Sequence, residues 1–351
     1  MSYIYPIIIA HKGNQDYLHI CLKQAHFSNP NSRIILLGDE SNKNCLPFVE
    51  WHNIYDYFDN AVEFEKRYIH LSCNPYDYEM FAIQKWFAIK DFIFSKNIEK
   101  ALIMDSDVLV YSDFSKEDEW LNNFRDCDIA TCGYGGQQTI FYNNKEIMQR
   151  FCDYIMKKYA DKAFMDQIIS DYNTKQKYTY KNWHLTNGPI SDMTWITWFV
   201  MDEDMKWFNT FTPSNNSIIN LALNKIIYYP SSGILMNIYF NNKIPYTILL
   251  ETNTPIRLHT MHFQGWKKQL MQRFATYDKD DNWSDPQYTL DDLCTIYQLD
   301  LSHSLLKSKE KIFIEKFSKY ITSLIPIKKW RVDLRNKIYK NLSEKIKIQV
   351  Q

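Results

Sequence analysis

Two aspartates interrupt an apolar run in the first third of the chain. Asp105 and Asp107 flank Ser106 inside the run 101–110, whose other residues are Ala, Leu, Ile, Met and Val. An ionised carboxylate is costly to bury unless hydrogen bonds or an opposite charge compensate it. A divalent cation supplies that charge, and carboxylate oxygens suit Mn²⁺ or Mg²⁺. The motif therefore predicts a metal site able to hold a departing diphosphate; the alternative is a β-turn with both carboxylates in water.

The elements around this motif predict an α/β fold. Residues 3–10 and 33–37 are short apolar runs typical of buried strands, and residues 16–27 between them have helical character. This order implies a parallel sheet with right-handed crossovers. Ligands of such open sheets bind beyond the carboxyl ends of the strands, where His11, Asp39 and the two motif aspartates are expected to meet. Further strands are predicted at 100–111, around the turn in 129–143, at 226–229 and at 257–263, and further helices at 78–94, at 146–159 and within 183–199.

Composition points to a soluble protein of the reducing cytoplasm. The seven cysteines are scattered, with no C-x-x-C pair, which argues against a disulfide framework and a structural zinc site. No run of eighteen apolar residues predicts a membrane span, and residues 1–10 do not have the pattern of a signal peptide. Aromatic residues make up 16% of the chain, which suits carbohydrate binding but also an ordinary core.

The positive charge is concentrated at the end of the chain. The net charge is zero, yet residues 305–351 hold thirteen Lys or Arg against four Asp or Glu. Apolar residues recur there at helical spacing, and Pro326 breaks the pattern. We expect a body over residues 1–300 and a basic amphipathic helical tail over 301–351 that lies on an anionic membrane surface. The alternative is that the tail packs on the body. Nucleic acid is not an expected partner, because the body is acidic.

A second motif follows a late predicted strand. His262, Gly265 and Lys268 are spaced as H-x-x-G-x-x-K. A neutral imidazole could join the two aspartates on the metal, the glycine would let the backbone approach phosphate, and the lysine adds a point charge. A lone histidine in a hydrogen-bonded structural role is the alternative.

Together the two motifs resemble the GT-A class of nucleotide-sugar glycosyltransferases, and the second resembles its retaining family 8, over residues 1–275. The resemblance implies a Rossmann-like, mostly parallel open sheet flanked by helices. It also implies a hexosyltransferase in which Asp105, Asp107 and His262 bind Mn²⁺ (or Mg²⁺) and Lys268 contacts the diphosphate. Ser106 and Gly265 belong to the same donor-binding motifs.

Other positions follow from this resemblance. The sequence departs from family 8 after Lys268, where Gln269-Leu270 replace the usual Pro-Trp. Asp166-Gln167 and Asp192-Met193 compete for the family's Asp-Gln pair, and we prefer Asp192 as the catalytic residue, near a helix start and available for a sugar hydroxyl; a plain helix cap is the alternative. Contacts with the donor are expected from His11, Lys12, Lys85, Asn187 and Gly188; for Lys85, a solvated helix residue is the alternative.

The expected function is transfer of a sugar from a nucleotide-sugar, most simply a UDP-sugar, to a glycan or lipid-linked acceptor, which is expected on the side lined by residues 187–198. The expected setting is assembly of a surface glycan, such as lipopolysaccharide or capsule, at the inner face of the cytoplasmic membrane. Retention or inversion of the anomeric centre stays open. The alternatives are a nucleotidyltransferase acting on sugar phosphates and a non-catalytic membrane-bound scaffold.

Overall fold

A computed structural model describes most of the first 288 residues. Its described residues are 4–72, 74–116, 122, 125–131, 139–173, 178–180, 183–185, 190–210, 216–222, 234–249 and 254–288. Residues 1–287 form one compact unit. The predicted tail and the predicted boundary at residue 300 lie outside the described residues. In the part of the chain that is described, every helix is too short or too polar to cross a lipid bilayer.

The central sheet confirms the predicted α/β class. Its strand order is β10-β6-β7-β4-β1-β2-β3, and β7 alone runs against its neighbours. The inner strands have near-continuous apolar sequences because helices cover both faces of a parallel sheet. The strands are β1 (Ile7–Ala10), β2 (Ile34–Gly38), β3 (Val49–Asn53), β4 (Ala101–Met104), β6 (Ile129–Thr131), β7 (Thr139–Tyr142) and β10 (Trp207–Asn209).

Helices flank this sheet and form the main core with it. The third helix is the longest, and its aromatic residues Trp86, Phe87 and Phe92 are at most 2% exposed. The predicted helix at 78–94 is thus confirmed with slightly wider bounds. The helices are α1 (Asp16–Ser28), α2 (Asp59–Glu65), α3 (Tyr76–Ser95), α4 (Glu146–Ala160), α5 (Lys162–Asn173), α6 (Asp192–Asp202) and α7 (Met271–Phe274).

The later part of the chain forms most of a second sheet. Its order is β11-β14-β13-β12-β15, and β5 pairs with the free half of β14. The hairpin of β12 and β13 was not predicted, and the strand predicted at 226–229 lies outside the described residues. The strands are β5 (Val108–Val110), β11 (Ser217–Ala222), β12 (Ile234–Asn241), β13 (Ile244–Leu249), β14 (Thr254–His262) and β15 (Asp285–Tyr288); β8 (Tyr178–Tyr180) and β9 (Trp183–Leu185) form a separate pair.

The chain crosses from the central sheet to the second sheet at the two motif aspartates. The prediction of one strand over 100–111 was wrong, because β4 belongs to the central sheet and β5 to the second. A turn closed by the Val108 N–H donating to the Asp105 carbonyl (3.3 Å) separates them. Both strands are buried, so hydrophobic pattern alone could not reveal the break. The turn leaves the aspartates at the carboxyl edge of β4.

A buried asparagine braces the loop after β1. The Asn42 side chain donates to the carbonyls of His11 (3.1 Å) and Gly13 (2.9 Å) and accepts from Trp51 Nε1 (3.0 Å). Gly38 lies directly against it, since a Cβ there would overlap Asn42 Oδ1 and stand 2.7 Å from Trp51 Nε1. The glycine is therefore required by close approach.

Replacing this glycine should destabilise the fold. We expect Gly38→Ala to lower the free energy of unfolding by about 2–4 kcal/mol, through overpacking and disturbed buried hydrogen bonds. Urea unfolding measures the change. The double variant with Asn42→Ala should cost less than the sum of the single variants, because the overlapping group is gone. Strict additivity would contradict the assignment of the clash to Asn42.

A buried histidine links β14 to the end of β5. His259 is 1% exposed, and its Nδ1 lies 2.6 Å from Ser112 Oγ. Burial, helped by the charge of Arg257, lowers the pKa of His259 from 6.5 to about 3. The folded protein therefore keeps this ring neutral at pH values where the unfolded chain takes up a proton.

The stability of the protein should reflect this histidine as the pH falls. Above pH 6.5 neither state protonates it; between pH 6.5 and about 3 only the unfolded state does, so the free energy of unfolding falls by up to about 1.4 kcal/mol per pH unit. His259→Asn should reduce that slope by one proton equivalent in urea unfolding from pH 7.5 to 4.5. His26→Asn, at a half-buried ring stacked on Phe48, serves as control. An unchanged slope in His259→Asn would rule out this source of acid sensitivity.

Candidate active site

Three parallel strands end at the same edge and bring polar side chains together there. His11 follows β1, Asp39 follows β2 and Asp105 follows β4. The Gly13 N–H donates to Asp39 Oδ2 at 2.9 Å, and Ser106 Oγ lies 2.9 Å from His11 Nδ1. The carboxyl edge of the sheet is thus where the predicted polar residues meet.

The strand β14 delivers a histidine to this edge. His262 is opposite Val108 in the β14–β5 ladder, and the Phe263 N–H donates to the Asp107 carbonyl at 2.8 Å. As a result, ligand atoms of Asp105, Asp107 and His262 all lie within 4.8 Å of one another. Two carboxylate oxygens and one imidazole nitrogen are ligand types that suit a divalent ion such as Mn²⁺.

Asp107 lies between His262 and Lys268 in this cluster. Its Oδ1 is 3.3 Å from His262 Nε2, and its Oδ2 is 3.2 Å from Lys268 Nζ. Burial alone would raise the pKa of Asp107, but the hydrogen bond from His262 and the charge of Lys268 outweigh it and lower the pKa to about 2. Asp107 is therefore ionised throughout the physiological range although it is only 7% exposed.

Lys85 forms a bridge between two carboxylates. Its Nζ lies 2.8 Å from Asp105 Oδ1 and 3.2 Å from Asp192 Oδ2, and its side chain is 12% exposed. Burial would lower the pKa of Lys85, but the two carboxylates raise it above its ordinary value, so the ammonium keeps its charge. Burial raises the pKa of Asp105, and the negative charges of Asp107 and Asp192 raise it further. The charge of Lys85 opposes this rise. The alternative of a solvated helix lysine was wrong.

Asp192 joins the site from the first turn of α6. Its Oδ2 also accepts from Trp86 Nε1 at 3.2 Å, so two groups of α3 orient one carboxylate oxygen. The helix cap is Ser191, one residue earlier, so Asp192 is more than a plain cap. Its competitor, Asp166, lies on the exposed face of α5 and pairs with Lys162 at 2.6 Å.

The two predicted residues after β1 have different surroundings. His11 has both ring nitrogens within hydrogen-bonding distance of the protein, Nδ1 near Ser106 and Nε2 2.5 Å from Gln15 Oε1. These bonds suit a role in holding the Asp–Ser–Asp turn. Burial lowers the pKa of His11, which favours the neutral ring. Lys12 instead points its Nζ at three aromatic rings, with centroid distances of 5.1 Å to Tyr55, 5.3 Å to Phe58 and 4.1 Å to Phe81.

Sequence reasoning missed a tyrosine of this site. Tyr17 lies in the first turn of α1, and its ring centroid lies 4.9 Å from Lys268 Nζ. Its ring also meets His11 edge-on at 5.6 Å. The available signal was positional, because a helix that follows a parallel strand begins at the carboxyl edge of the sheet. Trp86 was missed because it is part of an unbroken aromatic helix face.

The remaining predicted residue in the described part of the chain, Gly265, begins a 3₁₀ helix. Gly265 follows β14 with φ +66°, and a Cβ there would meet nothing within 4 Å. The backbone is therefore open to a ligand at this point, and the left-handed conformation favours glycine. Asn187 and Gly188 lie outside the described residues.

Comparisons with known proteins return only distant likenesses. No protein-family model and no curated protein matches the sequence. Among solved structures, mouse xyloside xylosyltransferase 1 is 12% identical with a TM-score of 0.41, covering 63% of this chain and 88% of that one. An active-site mutant of LgtC is 12% identical with a TM-score of 0.39, covering 77% and 95%. The glycosyltransferase GlyE of Streptococcus pneumoniae is 12% identical with a TM-score of 0.27, covering 58% and 45%. Likenesses this distant carry no weight for function.

Removing the bridging lysine should make the stability of the protein depend more strongly on a bound metal ion. We expect Lys85→Met to lower the free energy of unfolding by about 3 kcal/mol without metal, because two carboxylates lose their buried partner. Mn²⁺ alone should then raise the melting temperature of the variant more than that of the wild type, since Asp105 no longer holds an ammonium.

The matched control is Lys145→Met, which breaks a surface pair with Glu99 (2.6 Å) and should cost less than about 1 kcal/mol without a metal response. Differential scanning fluorimetry with and without Mn²⁺ measures both variants. An equal Mn²⁺ response in Lys85→Met and the wild type would contradict competition for Asp105.

Proposed function

We propose that this chain is a divalent-metal-dependent glycosyltransferase that uses a nucleotide-sugar donor. The observation that carries the proposal is the convergence of Asp105, Asp107 and His262 at the point where the chain leaves the central sheet. Two carboxylates and an imidazole within 4.8 Å of one another form a donor set for a hard or borderline cation. Mn²⁺ fits this mixture of oxygen and nitrogen better than Mg²⁺, which prefers oxygen alone.

The two lysine ammonium groups beside the cluster suit a diphosphate ligand. Lys268 and Lys85 each contact one of the metal-binding carboxylates, at 3.2 Å and 2.8 Å. A bound divalent ion would supply charge neutralisation for a leaving diphosphate. With the ion on the carboxylates, both ammonium groups would be released from part of their pairing and could bind phosphate oxygens. The open backbone at Gly265 lies beside Lys268 in sequence and suits the same ligand.

The proposed reaction moves a glycosyl group between oxygens. The bond from the anomeric carbon to the diphosphate oxygen breaks, and a bond to an acceptor hydroxyl oxygen forms. The products are the glycosylated acceptor, the nucleoside diphosphate and a proton. Asp192 is proposed to contact the transferred sugar, because Lys85 and Trp86 orient its carboxylate beside Asp105. Lys12 and His11 border the nucleoside side of the same edge.

The biological setting is a further part of the proposal. A UDP-sugar donor, a glycan or lipid-linked acceptor and assembly of a surface polysaccharide follow from the sequence resemblance. The basic residues of 305–351 support contact with an anionic membrane surface at its cytoplasmic face. Asn187 and Gly188 remain proposed donor contacts.

Donor binding should depend on the metal and on its proposed ligands. We expect a UDP-sugar, within a panel of UDP-, GDP- and CMP-sugars, to raise the melting temperature only with Mn²⁺ and to be hydrolysed slowly without an acceptor. Asp107→Asn and His262→Gln should each lower hydrolysis by at least about 100-fold, through lost stabilisation of the leaving group.

Matched substitutions away from the site are Asp153→Asn, on the exposed face of α4, and His26→Gln, which should both behave as wild type. Undiminished metal-dependent turnover in Asp107→Asn would show that Asp107 is not a metal ligand needed for the reaction. Absence of turnover and of donor binding across the whole panel would favour a non-catalytic scaffold instead.

A further inference from the structure

Exposed apolar side chains are concentrated in one stretch of the described chain. Five of its seven large exposed hydrophobic side chains lie in residues 55–78, which run from the end of β3 to the first turn of α3. We call this stretch the tyrosine segment. Exposed apolar side chains mark a binding surface where they form a patch. The five are Tyr55, Val62, Ile69, Tyr76 and Tyr78.

Tyr78 is the most exposed of these side chains and lies on the helix face that leads to the charged centre. Its exposed fraction is 63%. Tyr78, Phe81 and Lys85 follow one another at i, i+3 and i+7, so they share one face of α3 over a rise of about 10 Å. Along this face exposure decreases from Tyr78 to Lys85, whose side chain is 12% exposed. The face therefore connects solvent with the Lys85 ion pairs.

The electrostatics of Tyr78 agree with this position. Partial burial raises the pKa of its hydroxyl, which also responds to the charges of Lys268, Asp105, Lys85 and Asp192. These four groups come from four different parts of the chain and meet at the proposed reaction centre. The pKa of Tyr78 is thus sensitive to the charges of that centre although its side chain is largely exposed.

A second exposed tyrosine of the segment, Tyr76, is fixed by ring contacts on another face of α3, because residues two apart do not share a helix face. The Tyr76 ring, 46% exposed, meets Tyr68 at 5.5 Å and 68° and His70 at 5.5 Å and 51°. Tyr68 in turn hydrogen-bonds His70 Nδ1 at 2.9 Å. Packed rings lose little conformational freedom when a ligand binds, and each carries both an apolar face and a polar edge. Such faces match the C–H surfaces and hydroxyls of sugars.

The charge of the tyrosine segment narrows the choice of ligand. Residues 55–78 contain five acidic side chains against two basic ones. Acidic charge disfavours an anionic membrane surface, which attracts Lys and Arg. A neutral, hydroxyl-rich ligand with apolar faces fits the segment best.

We propose that Tyr78 forms the centre of a binding subsite for a neutral saccharide of the acceptor, with its ring stacked on a sugar face next to the reacting hydroxyl. The subsite rests on the proposed glycosyl transfer and adds the chemical class of the acceptor to it. It lies at the N-terminal end of α3, in the segment whose Leu71 carbonyl accepts from the Ile190 N–H at 2.8 Å.

Competition between water and sugar as acceptor tests this subsite. The full-length protein is supplied with the UDP-sugar that it hydrolyses, Mn²⁺ and a panel of p-nitrophenyl and methyl hexosides and disaccharides. We expect Tyr78→Ala to raise the KM for the saccharide roughly three- to tenfold and to lower the ratio of transfer to hydrolysis accordingly. Tyr78→Phe keeps the ring and should retain most of the wild-type ratio.

Ile69→Ala is the matched control, because Ile69 is exposed on the same segment but lies outside the proposed subsite. It should keep the wild-type ratio. An unchanged KM in Tyr78→Ala overturns the subsite, as does the absence of transfer to any saccharide by a protein that hydrolyses the donor. Failure of the wild type to hydrolyse any donor would instead refute the glycosyltransferase itself.

A vesicle assay distinguishes a saccharide ligand of the tyrosine segment from a lipid surface. Binding to phosphatidylglycerol vesicles should be the same for the wild type and for Tyr78→Ala. Loss of vesicle binding in Tyr78→Ala, with the saccharide KM unchanged, would reassign the tyrosine segment to the membrane.

Discussion

Charge compensation of carboxylates at a sheet crossing is the constraint on which the rest of this structure depends. Asp105 and Asp107 lie where the chain passes from β4 in the central sheet to β5 in the second sheet. Each carboxylate has its own ammonium partner, Lys85 from α3 and Lys268 from the turn after β14. Without these partners, two neighbouring carboxylates in an apolar setting would carry a large desolvation cost.

The two sheets have different tasks in building the site. The central sheet aligns the ends of β1, β2 and β4, so that backbone and side-chain groups of the loops after them form one edge. The second sheet contributes a single long strand, β14, whose last residue is His262. Pairing of β14 with β5 fixes that histidine beside Asp107. The three candidate metal ligands come from both sheets, so they meet only when the two sheets pack together.

Bracing groups around the site hold side chains and loops that are not fully buried. Asn42 holds the loop after β1, and His11 with Gln15 holds the turn at Ser106. Trp86 and Lys85 orient Asp192 from one helix. Asn42 and Trp86 are not recognisable from local pattern. Each is unremarkable in its own segment, and its role depends on a partner that is distant in sequence.

The sequence by itself determined the α/β class, the positions of the main helices and the unusual carboxylates of the Asp–Ser–Asp motif, because apolar periodicity and desolvation cost are local properties. It also singled out His262 and Lys268 through their spacing. Only the tertiary structure decided that β4 and β5 belong to different sheets, that Asp192 rather than Asp166 meets Lys85, and that Tyr17 and Tyr78 border the site. Those outcomes depend on which strands pair and which helix ends converge, and contacts between distant segments leave no periodic trace in the chain.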